Sequence, residues 1–286
     1  MTRPRAITLD AAGVALSALL SEPEGGTPTA TVVALHGLGM SAGYFHGPAH
    51  PDVSLLTLGS RLGFSVLAVD RPGYGASTRP LPDGQTVEEQ AGTLLAALAA
   101  FSAEHDTGAG LFLLGHSFGG KVALTAARDL GSGLLGVDVS GCGHRYAADT
   151  GDLRRRAWRR NWGPLRLYPP GTLKGSEDIV APVPPRELAD VPGWPTAFRD
   201  VAAGVRVPVR LTFAEHESWW HHDERSVADL RTWFTSAPRV VVDRVPDGAH
   251  NLSLGWTARA YHLAALGFFE ACLAPARCAG RDESFL

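Results

Sequence analysis

The chain has no excess of positive charge, no cysteine framework and no long apolar run. Its formal net charge is −3, so bulk electrostatics give it no hold on nucleic acid or an anionic membrane surface. The three cysteines stand at positions 142, 272 and 278. The number is odd and the spacing fits neither a disulfide set nor a metal site, which points to a reducing cytoplasm. No apolar stretch reaches the ~18–20 residues that a membrane span needs. Asp10 interrupts the apolar stretch near the N-terminus, where a signal peptide needs an unbroken one. These absences predict a soluble, unexported chain with neither a nucleic-acid nor a membrane partner. Lysine is scarce too: of 26 basic residues only Lys121 and Lys174 are lysines. With heavy use of Ala, Arg, Gly and Pro, this matches a high-GC bacterial coding bias and carries no chemical message.

What is present is ample core material. Hydrophobic residues make up 45% of the chain and charged ones 19%, a balance that argues for a packed core and against disorder. The length allows one large domain, or one domain with an insertion. Ala6–Leu9 and Val14–Leu20, joined at Asp10–Gly13, read as a β-hairpin. Thr31–Leu35, Ser65–Val69 and Leu111–Leu114 are short apolar runs, and with Leu134–Val139, Val207–Phe213 and Val240–Val245 they are read as six buried strands. Leu55–Leu62, Thr86–Phe101, Phe118–Leu130 and Ala258–Cys272 have helical spacing, with Glu88 and Glu89 in the first turn of the second, where the helix dipole favours anions. Buried strands alternating with helices predict an α/β fold, a mostly parallel sheet covered on both faces. The alternation fails over residues 141–204, rich in Pro, Arg and Trp. That stretch is read as a cap or lid inserted into a core made of residues 1–140 and 205–286. No internal repeat is visible, and the tail after Cys278 is expected to be loose.

The chemistry centres on Gly115-His116-Ser117-Phe118-Gly119, a G-x-S-x-G run between an apolar strand and a helix. That context makes the turn sharp: it lifts the serine Oγ above the sheet and aims it at the helix N-terminus, where an oxyanion is favoured. Small residues two before and two after the serine permit the turn. Here the sequence resembles the α/β-hydrolase family over nearly its whole length. His36-Gly37-Leu38-Gly39, just after the first buried strand, looks like that family's HGxG turn. By this likeness the backbone N–H groups of Leu38 and Phe118 would form the oxyanion hole, and His36 would only stabilise the turn.

The resemblance also implies the base. Of 11 histidines, His250 lies in Pro246-Asp247-Gly248-Ala249-His250-Asn251, after the last strand and before the last helix, where the family keeps its catalytic histidine. For the acid, the family often reads G-x-x-D after the strand that ends at Phe213. Ala214-Glu215-His216-Glu217 stands there, which implies Glu217 in the order Ser, acid, His. Glu for Asp and Ala for Gly are departures, so Asp138 and Glu215 stay open as rivals. His216, Glu217, His221, His222, Asp223 and Glu224 suggest a metal cluster, but no pair has the HExxH arrangement and no metal is expected. Asp70-Arg71-Pro72-Gly73-Tyr74-Gly75 resembles a structural corner of the family. Arg145, Arg154, Arg155, Arg156, Arg159, Arg160 and Arg166 read as a solvated helix face, with an anion-binding cap as the alternative. Tyr44, Phe45, Trp158, Trp162 and Trp219 are candidate pocket walls.

These residues predict a serine esterase, thioesterase or lactonase that acts on a small apolar molecule through an acyl-enzyme and needs no cofactor. One alternative keeps the fold but changes the reaction to C–O elimination, cyclisation or acyl transfer, as in relatives from bacterial specialised metabolism. Another is a non-catalytic ligand receptor. A homodimer is left open.

Overall fold

The computed structural model describes residues 4–130, 133–148 and 157–279. Eight strands form one sheet: β1 Arg5–Ala11, β2 Val14–Ser21, β3 Thr31–Leu35, β4 Ser65–Val69, β5 Leu111–His116, β6 Leu134–Ser140, β7 Val209–His216 and β8 Val240–Ala249. Their order across the sheet is β1-β2-β4-β3-β5-β6-β7-β8. The first hairpin is antiparallel and adds to β4 antiparallel; from β4 to β8 every pairing is parallel. The expected α/β class and mostly parallel sheet are therefore what the chain adopts.

β3, β4 and β5 are buried at every position, which is why their sequences are unbroken apolar runs. β8 corrects an expectation. It is an edge strand, half-buried over Val240–Asp243, with only one neighbour to cover it. Nine helices stand among the described residues: α1 Leu55–Arg61, α2 Val87–Glu104, α3 Phe118–Leu130, α4 Ala157–Trp162, α5 Thr172–Gly175, α6 Pro185–Asp190, α7 Trp194–Gly204, α8 Glu224–Trp233 and α9 Ala258–Ala279. α2 starts at a capping box: Thr86 accepts from the Glu89 N–H at 3.3 Å, and the Glu89 carboxylate accepts from the Thr86 N–H at 2.9 Å. α8 went unread in the sequence, although Asp223 caps it by accepting from the Ser226 N–H at 3.0 Å.

Two apolar clusters sandwich the sheet. One joins α2, α3 and α7 to one face; the other joins α1 and α9 to the opposite face. α7 falls within the stretch expected as an insertion, yet Phe198, Val201 and Ala202 bury into the first cluster. α4, α5 and α6 precede it between β6 and β7. Among the described residues no helix is long and apolar enough to cross a membrane. The chain passes from β3 to β4 on one side and returns to β5 on the other, so the carboxyl ends of β3 and β5 flank a topological switch point, where α/β sheets form ligand crevices.

Candidate active site

Ser117 alone joins β5 to α3, and its φ of 54° lies in the left-handed region. An L-residue there costs about 1–2 kcal/mol. Neighbouring hydrogen bonds hold it: the Ser117 N–H donates to the Ser140 carbonyl at 2.8 Å, and the Ser117 carbonyl accepts from the Gly120 N–H at 3.0 Å. Gly119 lets the start of α3 press onto the backbone leaving β3; a Cβ there would lie 2.2 Å from the Leu35 carbonyl oxygen.

The loop after β8 brings His250 to this serine. Its Nε2 lies 3.0 Å from Ser117 Oγ and its Nδ1 2.7 Å from Glu217 Oε2. A carboxylate only accepts, so Nδ1 carries the proton and Nε2 is free to accept from the hydroxyl. The other Glu217 oxygen accepts from the Trp219 N–H at 2.8 Å. Burial pushes the Glu217 pKa up, but the facing His250 and the Trp219 amide outweigh it and hold the carboxyl below its ordinary range.

Neither rival reaches His250. Asp138 pairs with Arg210 and accepts from the Tyr261 hydroxyl at 2.9 Å; Glu215 is exposed and accepts from the Asp247 N–H at 2.7 Å. Asp223 is spent on its helix cap and His222 stacks on Phe213. Among the described residues no group of three or more His, Cys, Asp or Glu side chains is placed to hold a metal ion.

Gly141 makes room for the imidazole. Its φ is 57°, and a Cβ would stand 2.9 Å from His250 Cε1 and 3.0 Å from Nδ1. Gly141→Ala is expected to push the ring off Ser117 and cost about 10²-fold in kcat, the scale of a 1 Å misplacement. Kinetics beside a thermal melt check this; an active, folded variant would show that the ring has slack.

The His36-Gly37-Leu38-Gly39 turn is clamped from behind by Arg71, which the sequence marked only as part of a corner. The Arg71 Nε donates to the His36 carbonyl at 2.7 Å and Nη2 to the Gly37 carbonyl at 3.1 Å. With the Gly37 carbonyl turned to Arg71, the Leu38 N–H of the same trans peptide points the opposite way. His36 Nδ1 donates to the Gly37 carbonyl at 2.9 Å and Nε2 accepts from the Arg71 N–H at 3.1 Å, which fixes its neutral tautomer and a turn-stabilising place. The Arg71 guanidinium is itself paired with buried Glu187 of α6, which also accepts from the Tyr74 hydroxyl and from Gln90 Nε2, each at 2.7 Å. No sequence motif announces Glu187, because its partners lie about a hundred residues away.

Burial holds five histidines below their ordinary pKa, and the three fully buried ones are His36 and His116, well below it, and His262, down to about 3. The unfolded chain protonates such rings near pH ~6.5 and the folded chain only at lower pH. Their stabilising effect is complete above that value and is lost as pH falls through it. Lowering the pH from 7.5 to 5.5 is expected to reduce the unfolding free energy by on the order of 1 kcal/mol or more. Urea denaturation at the two pH values measures this, and equal midpoints would refute it.

A cavity of about 440 Å³ opens at Ser117. Gly37, Leu38, Met40, Ser117, Phe118 and His250 line one part, and Ala157, Asn161, Pro182, Val183, Leu188 and Val191 from the β6–β7 segment line another. Of the expected pocket walls only Trp219 lines it. Tyr44 and Phe45 are fully buried instead, Tyr44 stacked on His116 at 4.8 Å. Trp162 packs edge-on against Tyr168 in the core, and Trp158 is 52% exposed. Spacing placed these rings in the right region but not on the right face. Lys121, Tyr146 and Asn251 line the cavity unforeseen, beside Trp220. Of the arginines, Arg145 donates to Ser226 Oγ, Arg160 lies over Trp219, Arg159 and Arg166 are exposed, and residues 154–156 lie outside the described residues.

Residues 32–271 match the profile of the alpha/beta hydrolase family. No curated protein matches the chain. Solved structures share its fold. A thermostable carboxyl esterase from Bacillus coagulans aligns with a TM-score of 0.71 at 16% identity, covering 95% of this chain and 98% of its own. The proline iminopeptidase of Mycobacterium smegmatis aligns at 0.61 and 20%, covering 95% and 100%. A dienelactone hydrolase from Anabaena variabilis aligns at 0.58 and 17%, covering 94% and 97%.

Proposed function

The chain belongs to the alpha/beta hydrolase family, and from that premise we propose that it is a serine hydrolase cleaving an ester, thioester or lactone of a small, largely apolar molecule. One observation carries the reading: a single imidazole is hydrogen-bonded at one nitrogen to the Ser117 hydroxyl and at the other to a buried carboxylate, at the wall of a cavity. His250 takes the hydroxyl proton as Oγ attacks the carbonyl carbon. The Leu38 and Phe118 N–H groups receive the oxyanion, and Glu217 stabilises the imidazolium. The imidazolium then protonates the leaving alkoxide or thiolate. His250 then deprotonates a water that attacks the acyl carbon, and the imidazolium gives that proton back to Ser117 Oγ as the acid leaves. The segment between β6 and β7 acts as a cap that sets substrate shape; its share of the cavity lining supports this.

A fluorophosphonate probe tests the nucleophile: an adduct mapped by mass spectrometry to Ser117 is expected, and no adduct would favour a ligand receptor. Turnover in ¹⁸O-water tests the reaction: isotope in the released acid is expected, and its absence would favour elimination or transfer.

A further inference from the structure

Among the described residues the cavity lining holds one lysine and no arginine, and the hydrolytic cycle does not use that lysine. Lys121 lies one helical turn beyond the nucleophile, on α3, and is 2% exposed. Its Nζ donates to the Tyr146 hydroxyl at 2.8 Å; that hydroxyl spends its own proton on the Val191 carbonyl at 3.0 Å. Around the ammonium stand the rings of Phe118 at 5.0 Å, Tyr146 at 5.5 Å, Trp194 at 5.7 Å and Trp220 at 5.9 Å. Phe118, Tyr146, Val191 and Trp220 line the cavity with Lys121 itself, so the ammonium sits at its wall.

The ammonium has three N–H donors, and among the described residues it donates one hydrogen bond, to Tyr146. The acidic groups that act on it from a distance are engaged elsewhere or neutral. Glu187 is paired with Arg71, Asp190 accepts from the Val87 N–H at 2.8 Å, and burial pushes the Cys142 thiol up to about 12. Burying an ammonium without an anion is costly, and a Met or Leu would fill an aromatic box without that cost. Burial pulls Lys121 down to about 8, against the pull of the nearby acidic groups, so it is largely charged at neutral pH.

We propose that Lys121 receives a carboxylate of the substrate, so that the preferred ester carries a free acid group a few bonds from the cleaved carbonyl. The assignment rests on Ser117 being the nucleophile. It narrows the substrate class: one half of the molecule is apolar, walled by Leu38, Met40, Val183 and Leu188, and one end is anionic. Ser117 precedes α3 and Lys121 is the fourth residue of that helix, so their backbones lie about 6 Å apart along its axis, an offset that favours a short dicarboxylic chain or an aromatic acid.

Two substrate pairs test this. 4-Nitrophenyl hydrogen adipate is compared with 4-nitrophenyl hexanoate for a carboxylate on the acyl side, and 4-acetoxybenzoate with phenyl acetate for one on the alcohol side. In at least one pair the wild type is expected to favour the carboxylate by about 10- to 100-fold in kcat/KM, the scale of a charge-assisted hydrogen bond. Lys121→Met is expected to abolish that preference and Lys121→Arg to keep part of it. No preference in either pair, or one that survives Lys121→Met, overturns the proposal. Binding of free adipate and 4-hydroxybenzoate to the wild-type protein, measured by calorimetry at pH 6.5 and 9.5, needs neither turnover nor a variant. At least one is expected to bind at the lower pH and to weaken about tenfold or more at the higher, where the ammonium is lost. Absence of binding, or binding indifferent to pH, refutes the site even if Ser117 is catalytic. Binding without any ester turnover would sink the hydrolase reading and leave this site standing.

Discussion

Ser117→Ala is expected to lower kcat/KM on an activated ester by about 10⁶-fold, the scale on which a nucleophile removed from an intact triad is felt. The variant deletes one oxygen and little else. The amide partners of residue 117, Ser140 and Gly120, act through its backbone and remain. The left-handed φ of 54° is as unfavourable for alanine as for serine, so the melting temperature should hardly move. His250 keeps Glu217 and loses only the hydroxyl. What persists is the background from the oxyanion donors and binding, about 10³–10⁴ over the reaction in water. Single-turnover kinetics with 4-nitrophenyl esters measure the loss. A folded Ser117→Ala protein within about a hundredfold of wild type would mean that the hydroxyl is not the attacking group.

Glu217→Gln should follow with a fall of about 10⁴-fold in kcat and little change in KM. The substitution keeps the shape and removes the charge. Glu217 now holds the Nδ1 proton at 2.7 Å and anchors itself on the Trp219 amide at 2.8 Å. An amide in its place can present N–H to Nδ1, which moves the ring proton to Nε2 and leaves nothing to accept from Ser117. It also withdraws the charge that stabilises the imidazolium. Glu217→Asp keeps the charge one methylene short and should recover a good part of the loss. A Glu217→Gln kcat within tenfold of wild type would assign the orienting role to another group. The depressed Glu217 pKa has a linked effect on stability: its contribution is complete above the ordinary carboxylate range and disappears as pH falls through the folded value, in the same direction as the buried histidines.

Legibility along the chain followed burial. Thr31–Leu35 and Ser65–Val69 were readable to the residue because strands covered on both faces admit only apolar side chains. Val240–Val245 opens with the same run of valines but carries Asp243 and Arg244, and it lies at the sheet edge with one neighbour, where such side chains reach solvent. Glu224–Trp233 carries no legible apolar stripe, because its buried side chains, Ser226 and Leu230, are confined to one narrow face. Tyr44, Phe45 and Trp162 were misplaced for a related reason: an aromatic ring suits a core and a pocket wall equally, and only its direction decides between them.

The chain order alone determined the sheet, the strand-to-helix junction at Ser117 and the loop that carries His250, because each depends on local constraints: an unbroken apolar run, a turn only small residues permit, a break between strand and helix. Contact between residues 117, 217 and 250, the clamp of Arg71 and Glu187 behind the His36–Gly39 turn, and the aromatic box around Lys121 were decided only by tertiary structure. These join side chains far apart in sequence, and the free energy that selects them arises from burial and hydrogen bonding in three dimensions, which no local pattern encodes.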